Sequence, residues 1–259
     1  VSIMRKSPIK KEDIRRIPGQ SLQEKIDKDF LDAIIPHIIY PFAVAFGIVN
    51  GILACYVSYW FGWLIFVVYC VWGFFGLLNI PKFREKIGKA RLGRNGELMV
   101  GQILDDCKPI GWKIIHDFQT DSIGNIDHII VAAQGVFTIE TKTISKFELK
   151  ETIIYDGETI RSSHGRRLDT LDNPLSEAER EAKFLKNFLY KTTGRTFPID
   201  PMPIITYPGW FITPPPWNIR SKITVMNPNL ISSYIQRKPE QLSSEDQVII
   251  YEALVRANK

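Results

Sequence analysis

From Ala33 to Pro81 the chain carries no Asp, Glu, Lys or Arg, out of 259 residues in all. No other feature restricts the fold as strongly. Built as α-helix at about 1.5 Å per residue, the stretch would be about 70 Å long, over twice the roughly 30 Å of a bilayer core. One straight span cannot use it all, but two can. Near the midpoint, Ser58-Tyr59-Trp60-Phe61-Gly62-Trp63 gathers aromatic rings and a glycine, as a turn at a membrane–water interface would. The expectation is a transmembrane helical hairpin with helices over 38–57 and 63–80. Ala43, Gly47, Gly51 and Cys55 recur every fourth residue and offer a small-residue face for close packing. A helical hairpin buried in a soluble core is the alternative. A cleaved signal peptide does not fit, because the apolar region is too long and starts too late.

The flanks orient such a hairpin. Arg5, Lys6, Lys10, Lys11, Arg15, Arg16, Lys25 and Lys28 precede it, while Lys82, Arg84, Lys86, Lys89, Arg91 and Arg94 follow it. The turn has no cation, so the positive-inside bias puts both termini in the cytoplasm and makes this a multi-pass protein of the cytoplasmic membrane. The division expected is an arm over 1–32, the hairpin over 33–81, a basic linker over 82–92 and a soluble domain over 93–259. Cys55, Cys70 and Cys107 lack metal-site spacing and are odd in number, which predicts neither zinc nor a disulfide framework.

The soluble part reads as α/β. An amphipathic helix is predicted over 95–107 and strands over 112–118, 146–150, 153–155, 202–207 and 223–225, with a turn at Asp156-Gly157. Asn173-Pro174 opens a helix over 175–190 with Ala178, Ala182, Leu185 and Leu189 on its apolar stripe, and a last helix runs over 244–257. The segment NIDHIIVAAQGVFTIETK, 125–142, is a hydrophobic hairpin with acids inside it. A two-residue loop at Ala133-Gln134, or a four-residue loop over 132–135, pairs Val131 with Val136 and sets Asp127 opposite Glu140. Opposed residues share a face with Cβ atoms about 4.5–5.5 Å apart. Lys142, two positions on, shares that face. Two carboxylates so close raise each other's pKa unless positive charge intervenes. Lys142 can supply part of that charge and a divalent cation the rest, since Mg²⁺ takes one or two carboxylates and keeps waters for substrate oxygens.

An Asp in one strand and Glu-x-Lys in the next resembles the PD-(D/E)xK nuclease superfamily. The blocks GRNGELMV at 93–100, NIDHIIV at 125–131, GVFTIETK at 135–142 and NPLSEA at 173–178 resemble its nuclease-related domain (NERD) branch. The resemblance implies a restriction-endonuclease-like core, a mixed sheet flanked by helices. It implies Asp127 and Glu140 as metal ligands, Lys142 as catalytic lysine and Glu97 as the acid completing the site, with Mg²⁺ or Mn²⁺ bound. Where the family usually has Gln, this chain has Glu177. A further ligand is one reading and relaxed selection on activity another; an acid suiting the first turn of its own helix is the reading preferred.

Other polar residues read more plainly. His128 points away from Asp127's face and is expected to be packed or hydrogen-bonded. Asp117 is expected in a turn. Arg161, Arg166 and Arg167 flank His164 in a cationic loop that could contact phosphates, with no aromatic platform adjoining it. The function expected is metal-dependent hydrolysis of nucleic-acid phosphodiesters at a membrane, DNA ahead of RNA, with nucleic acid and the lipid bilayer as partners. The alternatives are a catalytically inactive tethered module binding nucleic acid or protein, and a hairpin acting through oligomerisation.

Overall fold

The computed structural model describes residues 16–57, 59–169, 173–216, 219 and 221–258. Helix α1 spans Gln20–Val57 and α2 spans Tyr59–Asp105. The described residues up to Ser21 and those from Gly93 onward form one compact unit, and Leu22–Leu92 a second.

In the second unit the small residues of α1 receive α2. A Cβ on Gly51 would stand 3.2 Å from the Gly62 carbonyl oxygen and 3.5 Å from Phe66 Cβ, and one on Gly47 would overlap the Tyr69 ring. Lys86 and Asp29 pair at 2.9 Å. Residue 58 lies outside the described residues, and α2 is already helical at Tyr59, so the ring cluster belongs to a helix rather than a broad turn. Among the described residues no helix is long and apolar enough to cross a membrane. The expected two-span anchor and the multi-pass placement therefore lack support from the structure. Each helix joins apolar sequence to charged sequence: α1 opens on QSLQEKIDKD, and α2 ends through KFREKIGKARLGRNGE. The basic linker expected over 82–92 is helical, as its Lys, Arg, Glu and Ala content favours.

The first unit is built on two sheets. Strands β1 (Lys113–Thr120) and β3 (Gly135–Thr141) each pair antiparallel with β2 (Gly124–Ala132). Strand β4 is Ile153–Tyr155 and β5 is Ile160–Ser162, and helix α3 spans Pro174–Thr193. Strands β6 (Met202–Thr206), β7 (Ile212–Thr213) and β8 (Thr224–Met226) follow. Helices α4 (Ile231–Gln236) and α5 (Ser244–Ala257) complete the unit. The larger sheet has the order β1-β2-β3-β6-β8 with β6 parallel to both β3 and β8, and the smaller has the order β5-β4-β7. The coarse fold expected, a mixed sheet flanked by helices, is the one observed.

Val100 and Leu104 of α2 pack with Ile130, Phe137, Ile139 and Ile204 on one face of the larger sheet. Leu185 and Leu189 of α3, with Ile250 and Leu254 of α5, pack on Ile129, Val131 and Val136 of the other. The β2–β3 register pairs Val131 with Val136 across a two-residue turn at Ala133-Gln134, the shorter of the two loops that fit the pattern. Asp156 Oδ1 accepts the backbone N–H groups of Glu158 and Thr159, which makes the expected turn between β4 and β5. No strand forms over 146–150; residues 142–152 form irregular structure there, with Phe147 and Leu149 exposed. Strands β5 and β7 and helix α4 are too short for periodicity to reveal.

Gly96 lets α2 approach the end of β3. A Cβ there would overlap the Thr143 side chain and stand 3.6 Å from Thr141 Cγ2. Gly96→Ala should therefore destabilise the protein by about 1–3 kcal/mol through overpacking. That loss would come in spite of the gain of about 1 kcal/mol that alanine brings to a helix interior. Chemical denaturation of the two proteins measures the difference, and a more stable variant would refute the close approach.

Candidate active site

The acids gather where β2 begins and the parallel pair β3–β6 ends. The last paired residues of the hairpin are His128 and Ile139, so the same register carries Asp127 opposite Glu140 one step further on. The ladder stops there because the Asp127 carboxylate intervenes: its Oδ2 accepts the Thr141 backbone N–H at 2.8 Å. Beyond β3, Lys142 continues toward β6 by donating its backbone N–H to the Thr206 carbonyl at 2.9 Å. Its ammonium lies 2.6 Å from Glu140 Oε1 and 2.6 Å from Glu177 Oε2. Glu97 comes in from α2, where it accepts a hydrogen bond from the Gly19 backbone N–H.

Sequence reasoning missed one member. Glu181 is buried on α3, hydrogen-bonded to Glu140, on the stripe that also buries Ala178, Ala182, Leu185 and Leu189. An acid on an apolar stripe, one turn after Glu177, was the signal available for it. Among the described residues, the acids whose carboxylate oxygens lie within 4.8 Å of one another are Glu140, Glu177 and Glu181. Glu177 lies in the first turn of α3, as the preferred reading has it, but it is not the N-cap. Asn173 fills that role by accepting the Ser176 N–H at 3.3 Å, and the Glu177 carboxylate is turned to Lys142.

Burial dominates the electrostatics. It pushes Glu97 up to about 8, helped by the charges of Asp117 and Glu140. It pushes Asp127 well above the ordinary carboxylate range, with Glu140 and Glu97 adding to the shift. Glu140 is raised by burial although Lys142 opposes this, and Glu181 is raised by burial and then by Glu140. Burial works against the charge on Lys142, but Glu140 and Glu177 outweigh it and hold its pKa above the usual value. Glu97 Oε2, Glu181 Oε2, Thr141 Oγ1 and the Tyr207 hydroxyl are buried without a hydrogen-bond partner. Orphaned oxygens beside crowded carboxylates are what a site for a hard cation presents.

Asp117 is not in a turn. It is fully buried inside β1, with a φ of 50° that Asp tolerates better than most residues. Ile115 and Phe118 on either side of it lie in the same core, as do their partners Ile129 and Ile126 on β2. Its carboxylate accepts from Arg16 Nε at 2.7 Å, Ser21 Oγ at 2.6 Å and the Ser21 backbone N–H at 3.0 Å. His128 is fully buried, with Nδ1 2.9 Å from His116 Nδ1, whose Nε2 meets Asp105 Oδ1 at 2.9 Å. Burial lowers both histidines' pKa, and two neutral rings satisfy this chain of hydrogen bonds.

Arg161, Arg166 and Arg167 are not brought to the acids. Arg161 pairs with Asp156 at 2.7 Å and Arg167 with Asp169 at 3.0 Å. Arg166 has Glu151 at 3.7 Å and stands 4.3 Å from the centre of the exposed Phe147 ring. An aromatic platform does adjoin the cationic loop, supplied by a residue nineteen positions away in the chain.

Residues 92–206 match the family model of the nuclease-related domain, NERD. The match covers less than half of the chain and contains Glu97, Asp127, Glu140, Lys142, Glu177 and Glu181. No curated protein and no solved structure matches the chain. The mixed sheet with helices on both faces is the core expected of a NERD domain, and the acids stand at one end of its central strands.

A carboxyl whose pKa is higher in the folded chain than in the unfolded one favours the fold while it is protonated. For Glu97 that contribution is full below 4.5 and is lost as pH rises through about 8. The buried histidines act oppositely: their neutral forms favour the fold above the ordinary value of 6.5, and that contribution is lost as pH falls. Comparison with Glu97→Gln isolates the carboxyl. Without divalent cations, wild type should lose thermal stability relative to this variant from about pH 5 to about pH 8. Parallel stability curves would show that Glu97 is not held protonated.

Proposed function

We propose that the NERD-like unit hydrolyses nucleic-acid phosphodiester bonds, DNA ahead of RNA, with Mg²⁺ or Mn²⁺ as cofactor. The observation that carries this reading is the burial of Glu97, Asp127 and Glu140 at one sheet end beside Lys142. Asp127 and Glu140, with Glu97, would hold the ion. Asp127 Oδ2 is engaged by Thr141, which leaves Oδ1, 3.5 Å from Asn125 Nδ2, as its more available oxygen. The ion would activate water and offset charge on the phosphate. Lys142, held by two carboxylates, presents a fixed ammonium to a phosphate oxygen or an attacking water. Arg166 over the Phe147 ring, from two separate loops, and Lys146 lying 4.8 Å over the Trp210 ring pair cations with aromatic faces that suit a nucleic-acid strand.

One observation favours a second reading. Lys142 is tied to Glu177 as well as Glu140, where the family usually places a neutral Gln. A lysine so neutralised suits a module that binds nucleic acid without cutting it. Plasmid and single-stranded DNA incubated with and without Mg²⁺ or Mn²⁺ separate the two. Cleavage should require the ion, and Asp127→Ala and Glu140→Ala should abolish both cleavage and metal-dependent thermal stabilisation. Lys142→Ala should keep the stabilisation and lose about 10²–10³-fold in rate, the usual scale for one electrostatic donor. DNA binding without cleavage by wild type would establish the second reading.

A lipid bilayer as partner of α1 and α2 is supported by side-chain exposure. Phe42 is 73%, Tyr56 88% and Trp60 82% exposed, in a stretch without charge. Apolar exposure on this scale marks an interaction surface. The full chain should float with phosphatidylcholine vesicles and stay with them through a high-salt wash; recovery in the aqueous fraction would exclude this partner.

A further inference from the structure

Among the described residues of the first unit, the most exposed large apolar side chains are Leu149, at 95%, and Phe147, at 74%. Both stand in the irregular segment that follows Lys142. That segment is braced. The buried Glu151 carboxylate accepts the Phe147 backbone N–H at 2.8 Å, and the Glu148 carbonyl accepts the Glu151 N–H at 3.0 Å. Arg166 Nη2 donates to the Ser145 carbonyl at 3.2 Å, and Trp210 Nε1 donates to the Ile144 carbonyl at 3.1 Å. The Phe147 ring is thereby held beside Arg166, whose guanidinium carbon stands 4.3 Å from the ring centre. Lys142, Lys146 and Lys150 outnumber Glu148, the one acid of 142–150. The segment thus presents an open ring in a positive field.

We propose that Phe147, backed by Arg166, is a stacking platform for an unpaired base, which suits the unit to single-stranded nucleic acid ahead of duplex. This rests on the nucleic-acid reading above and narrows its substrate class. In a duplex each base face is covered by the next base, so a side-chain ring can stack only where a base is unpaired or turned out. Phosphates of the same strand would lie against the lysines and Arg166, since a planar guanidinium serves a ring face and a phosphate alike. Phe147 is five residues beyond Lys142, so their Cα atoms are at most about 18 Å apart. A site of about 4–16 nucleotides spans that distance, and one strand can meet both residues. A lipid surface is the competing occupant for an exposed Phe and Leu. Taking Phe147 into lipid would also strip water from the guanidinium stacked on it, whereas a base stack leaves that charge among phosphates.

Fluorescence anisotropy of the full chain with a labelled oligo-dT of about 20 nucleotides, longer than one such site, and with a duplex of the same length tests this. The titrations are run in EDTA, without the proposed cofactor. Wild type should bind the single strand more tightly than the duplex. Phe147→Ala should lose about 5–150-fold in single-strand affinity, the scale of one base–aromatic stack, with the duplex little changed. Phe147→Leu should lose as much, because it keeps apolar area without a π face, and Phe147→Trp should restore binding. These variants should keep the wild-type thermal midpoint, since the side chain is exposed. Equal binding of both nucleic acids, unchanged in Phe147→Ala, would overturn the platform and leave the phosphodiester reading intact. Unchanged DNA affinity, with weaker binding of Phe147→Ala to phosphatidylserine vesicles, would overturn it in favour of a lipid surface. Wild type that binds neither nucleic acid would overturn both readings.

Discussion

Carboxylates buried together at the end of a sheet are the constraint on which this fold turns. Asp127, Glu140, Glu97 and Glu181 are each at most 7% exposed, and among the described residues Lys142 is the single ammonium placed with them. Nothing about such a group favours folding by itself, because desolvation and mutual repulsion both act against it. The apolar layers on the two faces of the larger sheet must hold it in place. This explains why the acids sit next to the best-packed strands of the molecule: β3 is buried along its whole length, and β2 from Ile126 onward.

The arrangement also requires precision at three backbone positions. The two-residue turn at Ala133-Gln134 fixes which residue faces Glu140; a slip by one would turn Asp127 to the opposite face. Gly96 sets how closely Glu97 can come to the end of β3. Asp117, held at a left-handed φ, is a further acid buried nearby, where its charge reaches Glu97. None of these is a chemical group of the site, yet each decides where a carboxylate lies.

Much of this was legible in the sequence. Alternation in 125–142 gave the register because every slip exposes isoleucines, and the apolar stripe of α3 gave that helix with its Asn173-Pro174 start. Glu181 escaped notice because an acid one turn after another looks like a solvated helix face until tertiary packing turns that face inward. Asp117 escaped because its partners, Arg16 and Ser21, lie about a hundred residues earlier, and no local pattern announces a contact of that span. The pairing of Phe147 with Arg166 was hidden for the same reason. The extent of α2 was misjudged because a change of composition at Pro81 looked like a change of structure, whereas the helix runs from Tyr59 to Asp105 without regard to it.

The clasp between Asp117 and the Arg16–Ser21 segment gives the chain an unusual order of assembly. Leu22–Leu92 is an insertion within the other unit, whose first piece is made before the insertion and whose remainder is made after it. Ser21 leaves the ribosome 96 residues ahead of the carboxylate that will hold it. At about 5–20 residues per second, the segment waits roughly 5–20 s for its partner. By the end of that time the apolar insertion is complete, while the sheet that must close around Asp117 does not yet exist. Whatever shelters the insertion during synthesis thus acts before the sheet unit can form.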